Sequence, residues 1–273
     1  MNIFNNLSSD FQLIKKLSIN DFKSRFSGSY FGILWAFVQP IVTVMIYVFV
    51  FQVGFRAGST DNGYPYVLWL IAGIIPWFFF SEALMNATNC LVEYSYLVKK
   101  VVFKIDILPV VKIISALFVH LFFIAFAMFV YFCNGKMMPI HFIQIIYYMF
   151  ACVALVFSLS YLTASIVPFF RDFAQIINIL LQIGMWMCPI MWNESMLTGS
   201  SNVFVSTVLV NILKLNPMYY IVRGYRSCFM GGTNGWFWQH MSITIYFWAF
   251  VIIVFFLGQK VYKTLKVHFS DVL

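Results

Sequence analysis

The chain has 273 residues, of which 62% are apolar, 21% are aromatic and 10% are charged. Soluble domains are about 45–50% apolar and about 25% charged, so this chain has too few charged residues to cover a water-exposed surface. The composition excludes a soluble enzyme, a disordered chain and a nucleic-acid-binding protein, even though the net charge is +8. We therefore expect an all-α integral membrane protein.

The N-terminal segment within residues 1–31 precedes the first long apolar run. Between Leu7 and Phe26, apolar residues recur on one arc of a helical wheel with lysines beside them. This pattern predicts an interfacial amphipathic helix on the inner leaflet, with an ordinary cytoplasmic lead-in as the alternative. Because the segment lacks the apolar core and cleavage site of a signal peptide, we expect it to stay in the cytoplasm.

Six apolar runs approach the length of about 20 residues that a transmembrane helix needs. They are Gly32 to Phe55, Tyr66 to Asn86, Ile107 to Cys133, Phe142 to Val167, Phe173 to Met191 and Met241 to Tyr262. We predict a single membrane domain over 1–273, with six spans in 32–262 and a cytoplasmic tail at 263–273. Between spans five and six, Phe204 to Leu215 is about half as long as a span and predicts short re-entrant helices there.

The distribution of Lys and Arg predicts the orientation. Four precede span one, four flank the loop between spans two and three, one follows span four and three lie at the C-terminus, out of 17 in total. Since Lys and Arg concentrate on the cytoplasmic side, both termini are predicted to be cytoplasmic, as an even number of spans requires.

Several kinds of chemistry have no signal in the sequence. There is no GxxxxGK[ST] phosphate-binding loop, and neither the four His nor the five Cys have metal-ligand spacing. We therefore predict no metal site, no catalytic site and no cofactor bound by this chain. An intramembrane enzyme is the alternative.

Span five carries the clearest polarity within an apolar run. Gln175, Asn178 and Gln182 recur at i, i+3 and i+7, which places three amides on one helical face. The pair Arg171-Asp172 lies at its cytoplasmic end. Amides in hydrocarbon need partners or water, so this face predicts either a transport pathway or a helix interface. Elsewhere, Glu82 and His120 are interpreted as structural polar groups rather than a proton relay.

The loop after span two, Glu93 to Phe103, mixes basic and apolar residues and is followed by Asp106 and Pro109. Such a stretch favours a short helix that lies parallel to the membrane and docks into a partner's groove. A solvated connector is the alternative.

Aromatic residues are dense at the ends of several spans. Most are expected to be anchors at the membrane interface. A minority is expected to line a conduit, because flat apolar rings with polar edges suit the passage of sugars.

Five segments carry a resemblance to a known family. They are DFKSRFSGSYFGILWAFVQP from Asp21, PYVLWLIAGIIPWFFFSEALMNAT from Pro65, LVKKVVFKIDILP from Leu97, RDFAQIINILLQIGMWMCPIMW from Arg171 and LNPMYYIVRGYRSCFMGG from Leu215. In this order they resemble the permease subunits of ABC-2 type exporters, in the branch that exports O-antigen, capsule or wall teichoic acid. One departure is that Phe103 is followed by Lys104-Ile105-Asp106, where the family commonly has Pro and then Arg-Glu.

The resemblance implies a second copy of this chain and two copies of a separate ATPase that uses ATP and Mg. It also implies a lipid-linked glycan substrate and the bacterial cytoplasmic (inner) membrane. An exporter of a drug, lipid or other small hydrophobic molecule is the alternative, and a transporter or membrane enzyme acting alone is a third possibility.

The resemblance further implies roles for two sets of residues. Contact with the ATPase is expected at a coupling helix that includes Tyr96, Leu97, Lys99, Lys100, Phe103 and Asp106. A pathway between two permease copies is expected to be lined by Trp35, Tyr47, Phe51, Gln175, Asn178, Gln182, Trp186 and Tyr219.

Overall fold

The computed structural model describes residues 11–25, 28–54, 63–98, 104–194, 197, 204–231 and 235–273. Within these residues, every regular element is a helix. The α-helices are α1 (Phe11–Ser24), α2 (Trp35–Val48), α3 (Tyr66–Glu93), α4 (Ser95–Val98), α5 (Leu108–Cys133), α6 (Ile145–Ile166), α7 (Phe173–Met187), α8 (Val210–Lys214), α9 (Pro217–Met230), α10 (Met241–Leu265) and α11 (Phe269–Val272).

Five continuous helical segments in the described residues are long and apolar enough to cross a membrane. They are Gly32–Gly54, Tyr66–Glu93, Ile105–Cys133, Ile140–Ile166 and Phe237–His268. The prediction of an all-α, multi-pass membrane protein is therefore confirmed. Three of the predicted spans begin a few residues late, because short 3₁₀ turns extend the helices at their starts, and the predicted second span ends early, because its α-helix continues to Glu93.

The fifth predicted span differs most from expectation, since it is represented by the 15-residue helix α7. At a rise of 1.5 Å per residue, α7 is about 22 Å long, less than the hydrocarbon thickness of about 30 Å. The helix ends at Met187 because Cys188 precedes Pro189, and the residue before a proline is pushed out of the helical region. Cys188 accordingly has an extended backbone, with φ −86° and ψ 133°.

The central helix of the bundle is α3, which packs against α5, α6 and α9. In its most apolar stretch 78% of the residues are buried, compared with 11% in Gly32–Gly54. The first span therefore lies at the edge of the bundle and leaves most of its apolar side chains facing outward. For a chain in a membrane, such a surface is covered by lipid or by another chain.

Polar contacts identify which segments share one end of the bundle. Lys266, just after α10, donates a 2.5 Å hydrogen bond to Asp106 before α5, and the Tyr161 hydroxyl at the end of α6 donates to the Asp106 carbonyl oxygen at 2.7 Å. The ring of Phe169 lies 6.1 Å from that of Phe269. The loop before α5, the turn before α7 and the C-terminal helix α11 are thus neighbours.

At the opposite end, the start of α3 and the end of α5 meet the chain that follows α7. The Tyr66 hydroxyl donates to the Met191 carbonyl oxygen at 2.7 Å, and the Tyr131 hydroxyl donates to the Leu68 carbonyl oxygen at 2.8 Å. The chain from Phe169 to Met191 therefore begins at one end of the bundle and finishes at the other.

Helix α9 lies in this second end of the bundle and has clear start and stop signals. The Asn216 side chain accepts a hydrogen bond from the Met218 amide, Pro217 occupies the first turn, and Gly231, with φ of 57°, follows the last turn. The buried Arg226 on α9 donates to the carbonyl oxygens of Pro189 and Ile190 at 2.5 and 2.7 Å. These bonds hold the end of the α7 segment against α9.

The N-terminal helix α1 packs differently from the expectation. Residues 1–10 and Phe26, which belong to the predicted amphipathic segment, lie outside the described residues. The buried face consists of Ile14, Ser18 and Asp21, whereas Phe11 is exposed. Ile14 packs with Ile107 and Val111 beside α5. A polar contact of Asp21 decides which face docks, as described below.

We expect Gly224→Ala to destabilise the fold, because a Cβ at this position would overlap the ring of Tyr148 on α6. Overpacking of this kind costs about 1–3 kcal/mol, and the melting temperature in detergent should fall accordingly. The matched control is Gly54→Ala, where the nearest atom to the added Cβ is the Phe49 carbonyl oxygen at 4.0 Å. Equal melting temperatures for the two variants would contradict the packing described here.

Candidate functional site

A groove of about 640 Å³ lies between the first span, α3 and α7. Tryptophan rings and other apolar side chains share its walls with uncharged polar side chains. The rings are those of Trp35 and Trp77, and the uncharged polar residues are Gln39, Thr43, Ser81, Asn86, Asn178 and Gln182. This mixture of flat apolar faces and hydrogen-bonding groups suits a ligand that has both, such as a sugar.

The polar groups of the groove differ in how far they are already satisfied. The Thr43 and Ser81 hydroxyls donate to the backbone carbonyl oxygens of Gln39 and Trp77, at 3.0 and 2.9 Å. Within the described part of the chain, the side-chain amides of Asn178 and Gln182 have no such partner. They can therefore both donate to and accept from a ligand.

Ala36 and Pro40 also form part of the wall on the first span. Pro40 lies inside α2, where it has no N–H to donate to the carbonyl oxygen four residues earlier. That acceptor belongs to Ala36.

Three of the predicted pathway residues line this groove, namely Trp35, Asn178 and Gln182. Gln175 is exposed on the same helix face but lies outside the groove. The predicted amide face of span five is thus open rather than buried in the bundle of this chain.

The other four predicted pathway residues lie elsewhere. Trp186 is 60% exposed near the end of α7, and Tyr47 and Phe51 are partly buried against the core. Tyr219 is buried, and its hydroxyl donates a 2.5 Å hydrogen bond to Glu194. Burial and this hydrogen bond raise the pKa of Tyr219 well above its ordinary value. The structure therefore does not bring these four together with the groove.

The part of the groove nearest α1, termed its mouth, is lined by an ion pair that the sequence analysis did not identify. Arg25, just after α1, donates to the Glu82 carboxylate on α3 at 2.6 Å, and both residues line the groove. Arg25 also bonds to Asp21 and to the Ser115 hydroxyl, each at 3.1 Å. The one sequence signal was the i, i+4 spacing of Asp21 and Arg25. This arrangement agrees with the structural role expected for Glu82.

Asp21 connects this ion pair to the other side of the network. Its carboxylate accepts hydrogen bonds from Lys112 on α5 at 2.6 Å and from the Tyr94 hydroxyl at 2.7 Å. Lys112 also pairs with Glu93 at 2.5 Å. Burial raises the pKa of Asp21, but the hydrogen bonds from Lys112 and Tyr94 outweigh it, so the pKa lies below its ordinary value. Burial also raises the pKa of Tyr94 well above the usual range.

The predicted coupling helix adjoins this network. Tyr94 directly precedes α4. Within α4, Tyr96 is 59% exposed, whereas Leu97 packs against a buried apolar cluster. Lys99, Lys100 and Phe103 lie outside the described residues. Asp106 is buried and paired with Lys266, so it connects the loop before α5 to the chain that follows α10.

The remaining predicted positions are at the start of α7 and in the middle of the bundle. Arg171 and Asp172 are both exposed. His120 on α5 is buried, and its Nε2 lies 2.8 Å from the Tyr225 hydroxyl. This contact agrees with the structural role expected for His120.

A family model described as the ABC-2 type transporter matches residues 12–230. The chain belongs to this family. Two O-antigen export system permease proteins RfbA from Klebsiella pneumoniae are similar to this ABC-2 family chain, at 25% and 24% identity. Each match covers 98% of this chain and 97% of the relative. An RfbA permease from Myxococcus xanthus is 24% identical over 80% of both chains.

The family match covers most of α1 and extends to the last residue of α9, so it includes every described element that forms the groove and the ion network of this ABC-2 family chain. The groove is therefore part of the family's domain rather than an addition to it.

We expect the stability of the protein to fall as the pH drops below 3.8, the ordinary pKa of an aspartate. Because the pKa of Asp21 is depressed in the folded state, its contribution is complete above 3.8 and is lost as the pH falls through the lower folded value. Asp21→Asn should remove this part of the acid dependence and should cost about 1.5–3 kcal/mol at pH 7, because Lys112 loses one charged hydrogen-bond partner but keeps Glu93.

Melting temperatures between pH 3 and pH 7, followed by intrinsic fluorescence, measure both effects. Asp172→Asn is the control, because Asp172 is exposed before α7 and makes no side-chain cap hydrogen bond. The role assigned to Asp21 would be wrong if Asp21→Asn and wild type lost stability in parallel on acidification.

Proposed function

We propose that this chain is the transmembrane permease subunit of an ATP-driven exporter that moves a lipid-linked cell-surface polysaccharide across the bacterial cytoplasmic membrane. The observation that carries the proposal is the groove, in which Trp35 and Trp77 flank the free amides of Asn178 and Gln182. Full-length similarity to permeases named for O-antigen export supports this substrate class. A conduit of rings and amides can bind successive sugars without holding any of them tightly.

The proposed membrane arrangement has six crossings, with both termini in the cytoplasm. The sixth is the segment that contains α7, which is short as a helix but whose ends contact opposite ends of the bundle through Phe169 and Met191. The helices α8 and α9 then form re-entrant elements on the extracytoplasmic side. The excess of Lys and Arg at the end that holds α1, α4 and α11 supports this orientation.

The transporter is proposed to contain two copies of this chain and two copies of a separate ATPase. The first span and α7 leave large apolar side chains exposed on either side of the groove, including Ile46, Phe49, Ile179 and Ile183. A second copy packed on this edge would enclose the groove and turn it into a pathway. ATP and Mg would be bound by the ATPase, and this chain would bind no cofactor.

Coupling is proposed to run from α4 to the groove mouth. The exposed Tyr96 would contact the ATPase, and any displacement of α4 would move Tyr94. Tyr94 is bonded to Asp21, which in turn is bonded to Arg25. The position of Arg25 against Glu82 would then follow the nucleotide state of the ATPase.

We expect Gln182→Ala to lower the rate of glycan export, because it removes one hydrogen-bonding group from the groove. One such bond contributes about 1 kcal/mol, which corresponds to about fivefold in rate. Surface glycan, measured by antibody labelling of cells that depend on the variant, should decrease while lipid-linked polymer accumulates inside.

Gln175→Ala is the matched control, since it removes the same amide from the same helix outside the groove. If both variants exported equally well, the groove would not be the pathway. If cells lacking the gene kept their surface glycan but became sensitive to a hydrophobic drug, the substrate class would be wrong.

We expect Tyr96→Ala to weaken the complex with the ATPase, because Tyr96 is the large exposed side chain of α4. An aromatic anchor at an interface contributes about 2 kcal/mol or more, so the fraction of ATPase that co-purifies should fall by about tenfold or more. Tyr30→Ala removes an even more exposed tyrosine, at 98% exposure, outside the coupling loop and serves as the control. Equal recovery of the ATPase with both variants would contradict the coupling role of α4.

A further inference from the structure

We infer that the groove favours uncharged glycans and disfavours polyanionic ones such as phosphate- or uronate-bearing polymers. The inference rests on the proposed function and narrows its substrate class. It depends on how charge is arranged along the groove and at its mouth.

The walls of the groove carry no net charge. Among the described residues that line it, the charged side chains are those of Arg25 and Glu82, and they pair with each other at 2.6 Å. Arg25 is held further by Asp21 and Ser115, so its guanidinium already has three acceptors. A passing carboxylate or phosphate would therefore meet a cation that is already neutralised and largely satisfied.

Counted over the described residues that form it, the network at the mouth is negative. It contains three carboxylates, Asp21, Glu82 and Glu93, but two cations, Arg25 and Lys112, which leaves a formal charge of −1. Glu93 is 48% exposed at the side chain, so part of this charge faces outward. Any anionic unit of a polymer that came within the screening length of about 8 Å at physiological salt would be repelled by this charge. Repulsion would then recur at each repeat.

Uncharged sugars are not repelled by the charge of the network. Their hydroxyls can replace water at the amides of Gln39, Asn178 and Gln182, and their apolar faces can pack on Trp35 and Trp77. A carboxylate that entered the same walls would lose hydration without gaining a cation in exchange. The composition of the groove thus discriminates by charge, although the chain as a whole has a net charge of +8.

A charge series at the mouth tests the inference on the full-length chain in nanodiscs of zwitterionic lipid. The probes are maltohexaose, which is neutral, and hexagalacturonic acid, which has the same number of rings and one carboxylate on each. Binding is followed by the quenching of tryptophan fluorescence, since Trp35 and Trp77 line the groove. The measured quantity is the ratio of the Kd for the acidic probe to the Kd for the neutral probe.

For wild type we expect a ratio of about ten or more at low salt, because like charges in contact disfavour binding strongly. Glu82→Gln raises the network charge to 0 and should lower the ratio. Arg25→Gln lowers the charge to −2 and should raise it. The double variant Arg25→Gln/Glu82→Gln restores −1 and should return the ratio to the wild-type value.

The series separates a charge effect from a structural one, because each single substitution breaks the same ion pair. If the pair acted only through structure, both single variants would shift the ratio in the same direction, and the inference would be overturned. A wild-type ratio of one or less would also overturn it while leaving the glycan groove intact. Binding of neither probe by wild type would instead reject the groove as a glycan site, and the inference would fall with the proposed function.

Discussion

The contact between Asp21 and Lys112 is the interaction on which the cytoplasmic half of the proposed transporter depends. Both side chains are buried, and their opposite charges compensate each other at 2.6 Å. Removing either would leave the other with one remaining counter-charge, Glu93 for Lys112 and Arg25 for Asp21, and with a lost charged hydrogen bond in a buried setting. The N-terminal helix therefore has one strongly preferred orientation on α5, and Arg25, four residues after Asp21, is brought to Glu82 as a consequence.

This dependence links segments that are distant in the sequence. Tyr94 follows α3 and precedes the coupling helix, Lys112 belongs to α5, and Glu82 lies in the wall of the groove. All three are joined through Asp21 and Arg25, so the proposed ATPase contact and the proposed entrance for substrate share a single hydrogen-bonded network. The groove and its mouth are thus joined into one hydrogen-bonded unit, although five helices contribute to them, α1, α2, α3, α5 and α7.

The sequence predicted the class of fold well, because apolar runs of about 20 residues have few structural alternatives. The spacing of Gln175, Asn178 and Gln182 predicted one amide face on α7, of which Asn178 and Gln182 line the groove; its role as a pathway or a helix interface stays a prediction. It did not predict where α7 ends, since apolar composition continues to Met191 while Pro189 stops the helix. It did not predict the docked face of α1 either, because an apolar arc suggested lipid contact whereas the buried ion pair determines the packing.

The pairing of Arg25 with Glu82 illustrates why the rest of the site could not be predicted from the sequence. The two residues are 57 positions apart, and the one local partner, Asp21 four residues before Arg25, gives no indication of a contact with α3. Tyr219 shows the converse: its position near a predicted exit suggested a pathway role, but its hydroxyl is bound to Glu194. Long-range partners of this kind follow from tertiary packing, which a single sequence does not display.

The proline in the first span has a mechanical consequence for the transporter proposed here. Pro40 removes one backbone hydrogen bond from α2 at the position where Ala36 and Pro40 face the groove. A helix that already lacks this bond can bend there without losing another. The central helix α3 also contains a proline, Pro76, but 78% of its most apolar stretch is buried, compared with 11% in the first span. Bending that changes the width of the groove is therefore less restrained by packing in the first span than in α3.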